Sequence, residues 1–126
     1  MILAFETVAE AGQDNVTEQR RLAIDHYIAA CIRAETQPRV GEIATDLGIS
    51  RVGLNQWFAR EYGSSVSTYL KKSQIEEAKR LLSDTLLSTT RIAYISAFGT
   101  RRAFYRAFKR TTGYTPNEYR RLRLSK

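Results

Sequence analysis

Apolar residues recur along this chain at helical spacing, with no sustained alternation of period two and no Asn-Gly or Asp-Gly hairpin signal. The pattern predicts helices throughout. Thr17 is the expected cap of a first helix over about 17–33, with Leu22, Ile24, Tyr27, Ile28, Cys31 and Ile32 on and around its apolar stripe. Gly12-Gln13-Asp14-Asn15, just before it, looks like a break, and Gln37-Pro38 ends the region. A short helix over about 40–47 buries Ile43, Ala44 and Leu47, and Gly48 stops it as a C′ glycine does. Ser50 then caps a helix over about 51–62 whose inner face carries Leu54, Trp57 and Phe58 at i, i+3 and i+4. Gly63 ends it.

Ser65 opens a long helix to about residue 83, buried through Tyr69, Leu70, Ile75, Ala78, Leu81 and Leu82. A second short pair follows, over about 90–97 and 101–111, the latter packing through Phe104 and Phe108. Thr115-Pro116-Asn117-Glu118 starts the last helix with a capping box: a Thr cap, a proline at the first helical position and a Glu three residues on.

The chain repeats itself. Ile43-Ala44 matches Ile92-Ala93 at an offset of 49, and Leu54, Phe58, Gly63, Ser65 and Tyr69 match Phe104, Phe108, Gly113, Thr115 and Tyr119 at an offset of 50. The slip falls between the paired short helices, so the second turn is expected to be one residue longer. Each copy reads as a helix-turn-helix unit. Its second helix locks on through an i, i+4 pair and leaves its opposite face outward, free to lie in a major groove. The implied architecture is all-α, about seven helices in two helix-turn-helix subdomains (17–64 and 84–126). A linker helix (65–83) joins them, and residues 1–16 form an N-terminal extension.

Composition narrows the function. Of 126 residues, 43% are hydrophobic, enough for a compact core. One cysteine, Cys31, excludes an internal disulfide, and one histidine, His26, makes a His-based metal site or a Ser/His/Asp site improbable. No nucleophile–base pair, metal cluster or phosphate loop is visible, so neither an enzyme nor a cofactor is expected. No apolar run approaches the ~20 residues of a bilayer span, and Met1 to Phe5 is too short for a signal core. A cytoplasmic protein is the expectation.

Charge is decisive. Residues 1–50 carry 4 basic and 8 acidic residues, whereas residues 51–126 carry 16 and 5, and from Gly99 onward the balance is 9 to 1. So lopsided a charge points to a polyanionic partner, with nucleic acid ahead of a merely solvated basic surface or an anionic membrane.

Together these residues resemble the signature of AraC/XylS-type transcription regulators. In the second half it stands as Ile92-Ala93, Ala97-Phe98, Phe104-Tyr105-Arg106-Ala107-Phe108-Lys109 and Gly113-Tyr114-Thr115-Pro116-Asn117-Glu118-Tyr119-Arg120. The first half is similar at Ile43-Ala44, Gly48-Ile49-Ser50, Leu54, Phe58, Gly63, Tyr69-Leu70 and Ala78-Lys79-Arg80-Leu81-Leu82, so the likeness covers about 17–121. Three positions depart from it. Ala97 replaces the usual glycine of the second turn, straining a left-handed position unless Gly99 absorbs it, and Gln56 and Gln74 stand where arginine is usual.

The resemblance implies a transcription regulator that reads double-stranded DNA through helices at about 51–62 and 101–111. With Phe104 inward, Arg102 and Arg106 point nearly opposite, flanked by Tyr105 and Lys109. Arg102, Arg106 and Tyr105 are the expected base readers of the second unit, and Val52, Asn55 and Gln56 those of the first. Arg51, Arg101, Lys109 and Arg110 suit phosphates. The second unit is expected to supply more of the affinity. Two helices in successive major grooves imply a separation near ~34 Å and an asymmetric site bound by a monomer. The other reading is a basic helical adaptor that binds RNA polymerase or another protein without reading bases; RNA is disfavoured because Tyr105 is the sole outward stacking platform. An effector or dimerisation domain would have to lie outside these residues, making the chain either a compact regulator or the DNA-binding portion of a larger one.

Overall fold

The computed structural model describes residues 12–124. Among them the chain forms seven helices and no strand: α1 (Gly12–Ala34), α2 (Val40–Leu47), α3 (Arg51–Tyr62), α4 (Val66–Asp84), α5 (Thr89–Ile95), α6 (Arg101–Thr112) and α7 (Pro116–Leu124). The helical architecture expected from periodicity is the one observed.

Two helices differ from the expected bounds. Helix α1 is already formed at Gly12, so Thr17 is interior and does not cap it. The run Gly12-Gln13-Asp14-Asn15 that looks like a break is helical. Residues 1–11 of the expected extension lie outside the described residues. Helix α5 ends at Ile95 rather than Ala97, because Ala97 has a φ of +68° and cannot continue a right-handed helix. It also starts one residue early, with Ser88 as its cap, accepting from the Arg91 amide at 3.0 Å. Leu22 lies off the α1 stripe and is 46% exposed, while Ile24, Ile28 and Cys31 are buried.

The side chains pack into two cores. The first gathers Ile24, Ile28, Ile43, Ala44, Leu54, Trp57, Phe58, Val66 and Leu70. The second gathers Ile75, Ala78, Leu81, Leu82, Ile92, Ala93, Phe98, Phe104 and Phe108. Helix α4 thus divides its buried face, giving its first half to one core and its second half to the other.

The repeat survives in three dimensions. Gly63 and Gly113 end α3 and α6 in the left-handed conformation, and their amides return to Ala59 and Lys109 carbonyls. Tyr69 lies 5.4 Å from Phe58, ring centre to ring centre, and Tyr119 lies 5.4 Å from Phe108. In both turns the chain makes the same pair of bonds: Gly48 to Thr45 and Ile49 to Ala44 in one, Ala97 to Tyr94 and Phe98 to Ala93 in the other. Ser50 and Thr100 then cap the following helices. The extra residue of the second turn is Gly99, inserted between Phe98 and Thr100 with a φ of +84°. It does not relieve Ala97, which keeps the strained left-handed position that Gly48 occupies in the first copy.

Candidate nucleic-acid interface

Helices α3 and α6 are built alike. The Ser50 hydroxyl accepts from the Gly53 amide at 2.9 Å and the Thr100 hydroxyl from the Ala103 amide at 3.0 Å. These caps satisfy first-turn donors and fix where each helix begins. Leu54, Trp57 and Phe58 hold α3 down from one side, as Phe104 and Phe108 hold α6. Tyr105 and Ala107 pack partly against the second core, and the charged residues face solvent.

On α6 the exposed residues include Arg101, Arg102, Arg106, Lys109 and Arg110. Arg102 and Arg106 stand one turn apart, and neither has an ion-pair or hydrogen-bond partner among the described residues. Two unpaired guanidiniums, each a rigid fork of donors, suit bidentate recognition of a base edge or a phosphate. Arg101 is held: its guanidinium carbon lies 4.3 Å from the Tyr105 ring centre, and its Nη2 donates to the Tyr105 hydroxyl at 3.2 Å.

Tyr105, one of the expected base readers, has its hydroxyl engaged within the protein. Its hydroxyl accepts from Arg101 and from Asn117 Nδ2 at 3.2 Å, and donates to the Thr89 hydroxyl at 3.0 Å. One donor and two lone pairs are the full capacity of a phenol, so the hydroxyl is saturated inside the protein. Its role is to brace Arg101 against α5 and α7. Thr89 and Asn117, the other members of this brace, carry no periodic signal in the sequence. Only the position of Asn117 inside the capping box could have drawn attention to it.

Lys109 lies 3.9 Å from Glu118, a long contact with both side chains about half exposed. Glu118 belongs to the capping box, accepting from the Thr115 amide at 2.8 Å while its own amide donates to the Thr115 hydroxyl at 3.1 Å. That backbone amide, with Lys109 adding to it, holds the Glu118 carboxyl below its ordinary range. Arg110 diverges from Arg102 and Arg106. It lines a groove between α4 and α6 with Lys71, Lys72 and Lys79, cations that the sequence shows only as outward positions on the long helix.

The α3 face is less charged. Arg51, at its start, runs over Gly41 of α2, where a Cβ would lie 3.8 Å from its Cδ. Val52 is 65% exposed, and Asn55 and Gln56 are exposed beside it. Arg120, the last residue of the motif, turns out to be structural: it donates to the Leu82 and Thr85 carbonyls, both at 3.2 Å, and so caps the end of α4. Among the described residues no group of three His, Cys, Asp or Glu side chains converges to hold a metal ion, and no helix is long and apolar enough to cross a membrane.

Two such units on one shared helix define a tandem helix-turn-helix domain. Comparison with known proteins places it more finely. The helix-turn-helix domain family matches residues 43–122. The chain is 32% identical over 82 residues to the xylose operon regulatory protein of Escherichia coli (strain K12), covering 65% of this chain and 21% of that one. It therefore spans about a fifth of the length of that relative. Among solved structures, the C-terminal domain of the two-component response regulator yesN from Fusobacterium nucleatum superposes with a TM-score of 0.74 at 26% identity, covering 84% of this chain and 98% of that one. The DNA-binding domain of AdpA, solved in complex with a target DNA, gives 0.71 at 23% identity, over 81% and 93% of the two chains. The chain belongs to the AraC-type helix-turn-helix family of transcription regulators.

Proposed function

We propose that this chain binds double-stranded DNA sequence-specifically, as a cytoplasmic regulator of transcription, by inserting α3 and α6 into successive major grooves. The observation that carries this is the pairing of two equivalently capped and anchored helices with the unpartnered Arg102 and Arg106 on the outward face of one of them. Arg102 and Arg106 read base edges, most favourably guanine O6 and N7. Val52, Asn55 and Gln56 read through α3, Val52 by contact with a thymine methyl and the amides by bonding adenine. Arg51, Lys109, Arg110 and the braced Arg101 bind phosphates, which position the helices without specifying sequence.

One chain carries both readers, so a monomer suffices and the site is asymmetric. The more basic α6 supplies the larger share of affinity through counterion release. Duplexes selected from a random library, compared with unselected duplex in gel shifts, test this. Arg102→Ala or Arg106→Ala is expected to cost ~1–3 kcal/mol on the selected duplex and much less on the random one. Equal losses on both would exclude base reading by that residue.

A further inference from the structure

The two units touch through the short connection after α1. Gln37 Nε2 donates to the Phe98 carbonyl at 2.8 Å, bonding the turn of the second unit from the loop of the first. Arg91, at the start of α5, forms a two-pronged ion pair with Glu35, at 3.0 and 3.1 Å. The amide end of Gln37 also lies against Gly99, where an added Cβ would sit 3.4 Å from its Cδ and Nε2. The one-residue insertion that distinguishes the second turn from the first is thus the place where Gln37 lands.

The backbone at Glu35 makes the contact harder to dismiss as incidental. Glu35 is the residue after the last turn of α1, with the Glu35 amide bonded to Ile32 and the Thr36 amide to Cys31. Its φ is +57°, a left-handed position that glycine fills best. The same closing pattern recurs after α2 and α5, where Gly48 and Ala97 take the left-handed position. Glutamate at such a site is strained, and the carboxylate that only glutamate or aspartate would bring there is spent on Arg91 of the other unit.

We propose that Glu35 and Gln37 form a clamp that sets the angular phase between the two recognition helices, and so makes the protein discriminate the spacing between its two half-sites. The proposal rests on the DNA binding argued above. Helix α4 alone joins the units as a single rod, and a rod of that length can twist and flex. A second, off-axis attachment removes that freedom. One base pair added between half-sites moves one relative to the other by ~3.4 Å and ~35°, a shift that a rigid pair of helices cannot follow and a loosened pair can. Glu35 and Gln37 are positioning residues; neither needs to touch DNA.

The test uses duplexes selected by the wild-type chain from a random library, then remade with one base pair inserted or deleted between the two protected segments. The wild type is expected to lose about tenfold or more on the altered spacings. The Glu35→Gly, Gln37→Ala double variant is expected to reduce that spacing ratio by about fivefold, with its salt dependence and its affinity for random duplex unchanged. Glycine at position 35 removes the backbone strain, so the Glu35→Gly single variant is expected to keep its melting temperature while its spacing ratio falls. A contact that merely stabilises the fold would instead lower the melting temperature and weaken all duplexes alike. The Glu35→Arg, Arg91→Glu exchange should restore the ratio.

A double variant with the wild-type spacing ratio overturns the clamp and leaves the DNA-binding proposal standing. A wild type indifferent to spacing overturns it as well. Failure of the wild type to enrich any duplex overturns both.

Discussion

Replacing Gln74 with leucine tests how the second turn is held in place. The Gln74 side chain is 2% exposed, and its Nε2 donates to the Ser96 carbonyl at 3.2 Å and the Ala97 carbonyl at 2.9 Å. Leucine has similar bulk but donates nothing, so two carbonyls of a buried turn lose their partner. Each such loss costs about 1–3 kcal/mol, and burial of the apolar side chain returns about 1 kcal/mol. The net expectation is a loss of ~1–5 kcal/mol, a large part of the ~5–15 kcal/mol that holds a domain of this kind folded.

Urea unfolding followed by far-ultraviolet circular dichroism gives the number directly. Gln74→Glu sharpens the test, because its carboxylate would face the same two carbonyls. Its acid form is favoured by the fold, which raises the folded pKa. The penalty is therefore small below the unfolded carboxyl value of about 4.3 and grows as pH rises above it. A loss under ~1 kcal/mol for Gln74→Leu, or no pH dependence specific to Gln74→Glu, would mean that water replaces the amide and the turn stands without it.

Other substitutions separate the remaining roles. Gly48→Ala should cost about 1 kcal/mol in the same unfolding assay, since a Cβ there meets nothing within 4 Å and only the φ of +71° opposes it. Ala97→Gly should come close to neutral, because the relief of strain is offset by the loss of a buried methyl worth about 0.8 kcal/mol. Thr115→Ala should cost about 1 kcal/mol by removing one half of the capping box. Because the folded Glu118 carboxyl is held below its ordinary value of 4.5, its contribution is complete above that value and is lost as pH falls through the lower folded one. Hydrogen exchange of α7 amides in an acid series follows that loss, and exchange that is flat with pH would remove Glu118 from the cap. Lys109→Ala should weaken selected and random duplexes alike and reduce the slope of log affinity against log salt by ~1. An unchanged slope would leave Lys109 with its long contact to Glu118 as its sole role.

What the sequence reveals and what it hides divide along a physical line. Signals repeated within one helix or one turn are legible: the Leu54/Phe58 and Phe104/Phe108 pairs, the Ser50 cap and the Thr115–Glu118 box all stand where expected. Each follows from spacing of a few residues. The helical state of residues 12–15 is hidden because Gly12 and Asn15 are weak helix formers that read as a loop. Tyr105 shows the other limit. The helical angle places it outward, whereas its ring packs partly against the second core and its hydroxyl is taken up by Arg101, Thr89 and Asn117, contacts that depend on two neighbouring helices. Gln74 looked like a departure from the usual arginine, and only burial against Ser96 and Ala97 reveals why an amide serves there. Contacts such as Gln37 with Phe98, 61 positions away, leave no trace in any local pattern.

The shared helix α4 has a consequence for how such a chain can change over time. Leu70 belongs to one core and Ile75 to the other, so the residues between them act as a notched shaft. Adding one residue there would swing everything downstream by ~100° and push it ~1.5 Å along the axis. The register between the halves is therefore quantised by the α-helix itself, and insertions far from a whole number of turns would leave one half facing the wrong way.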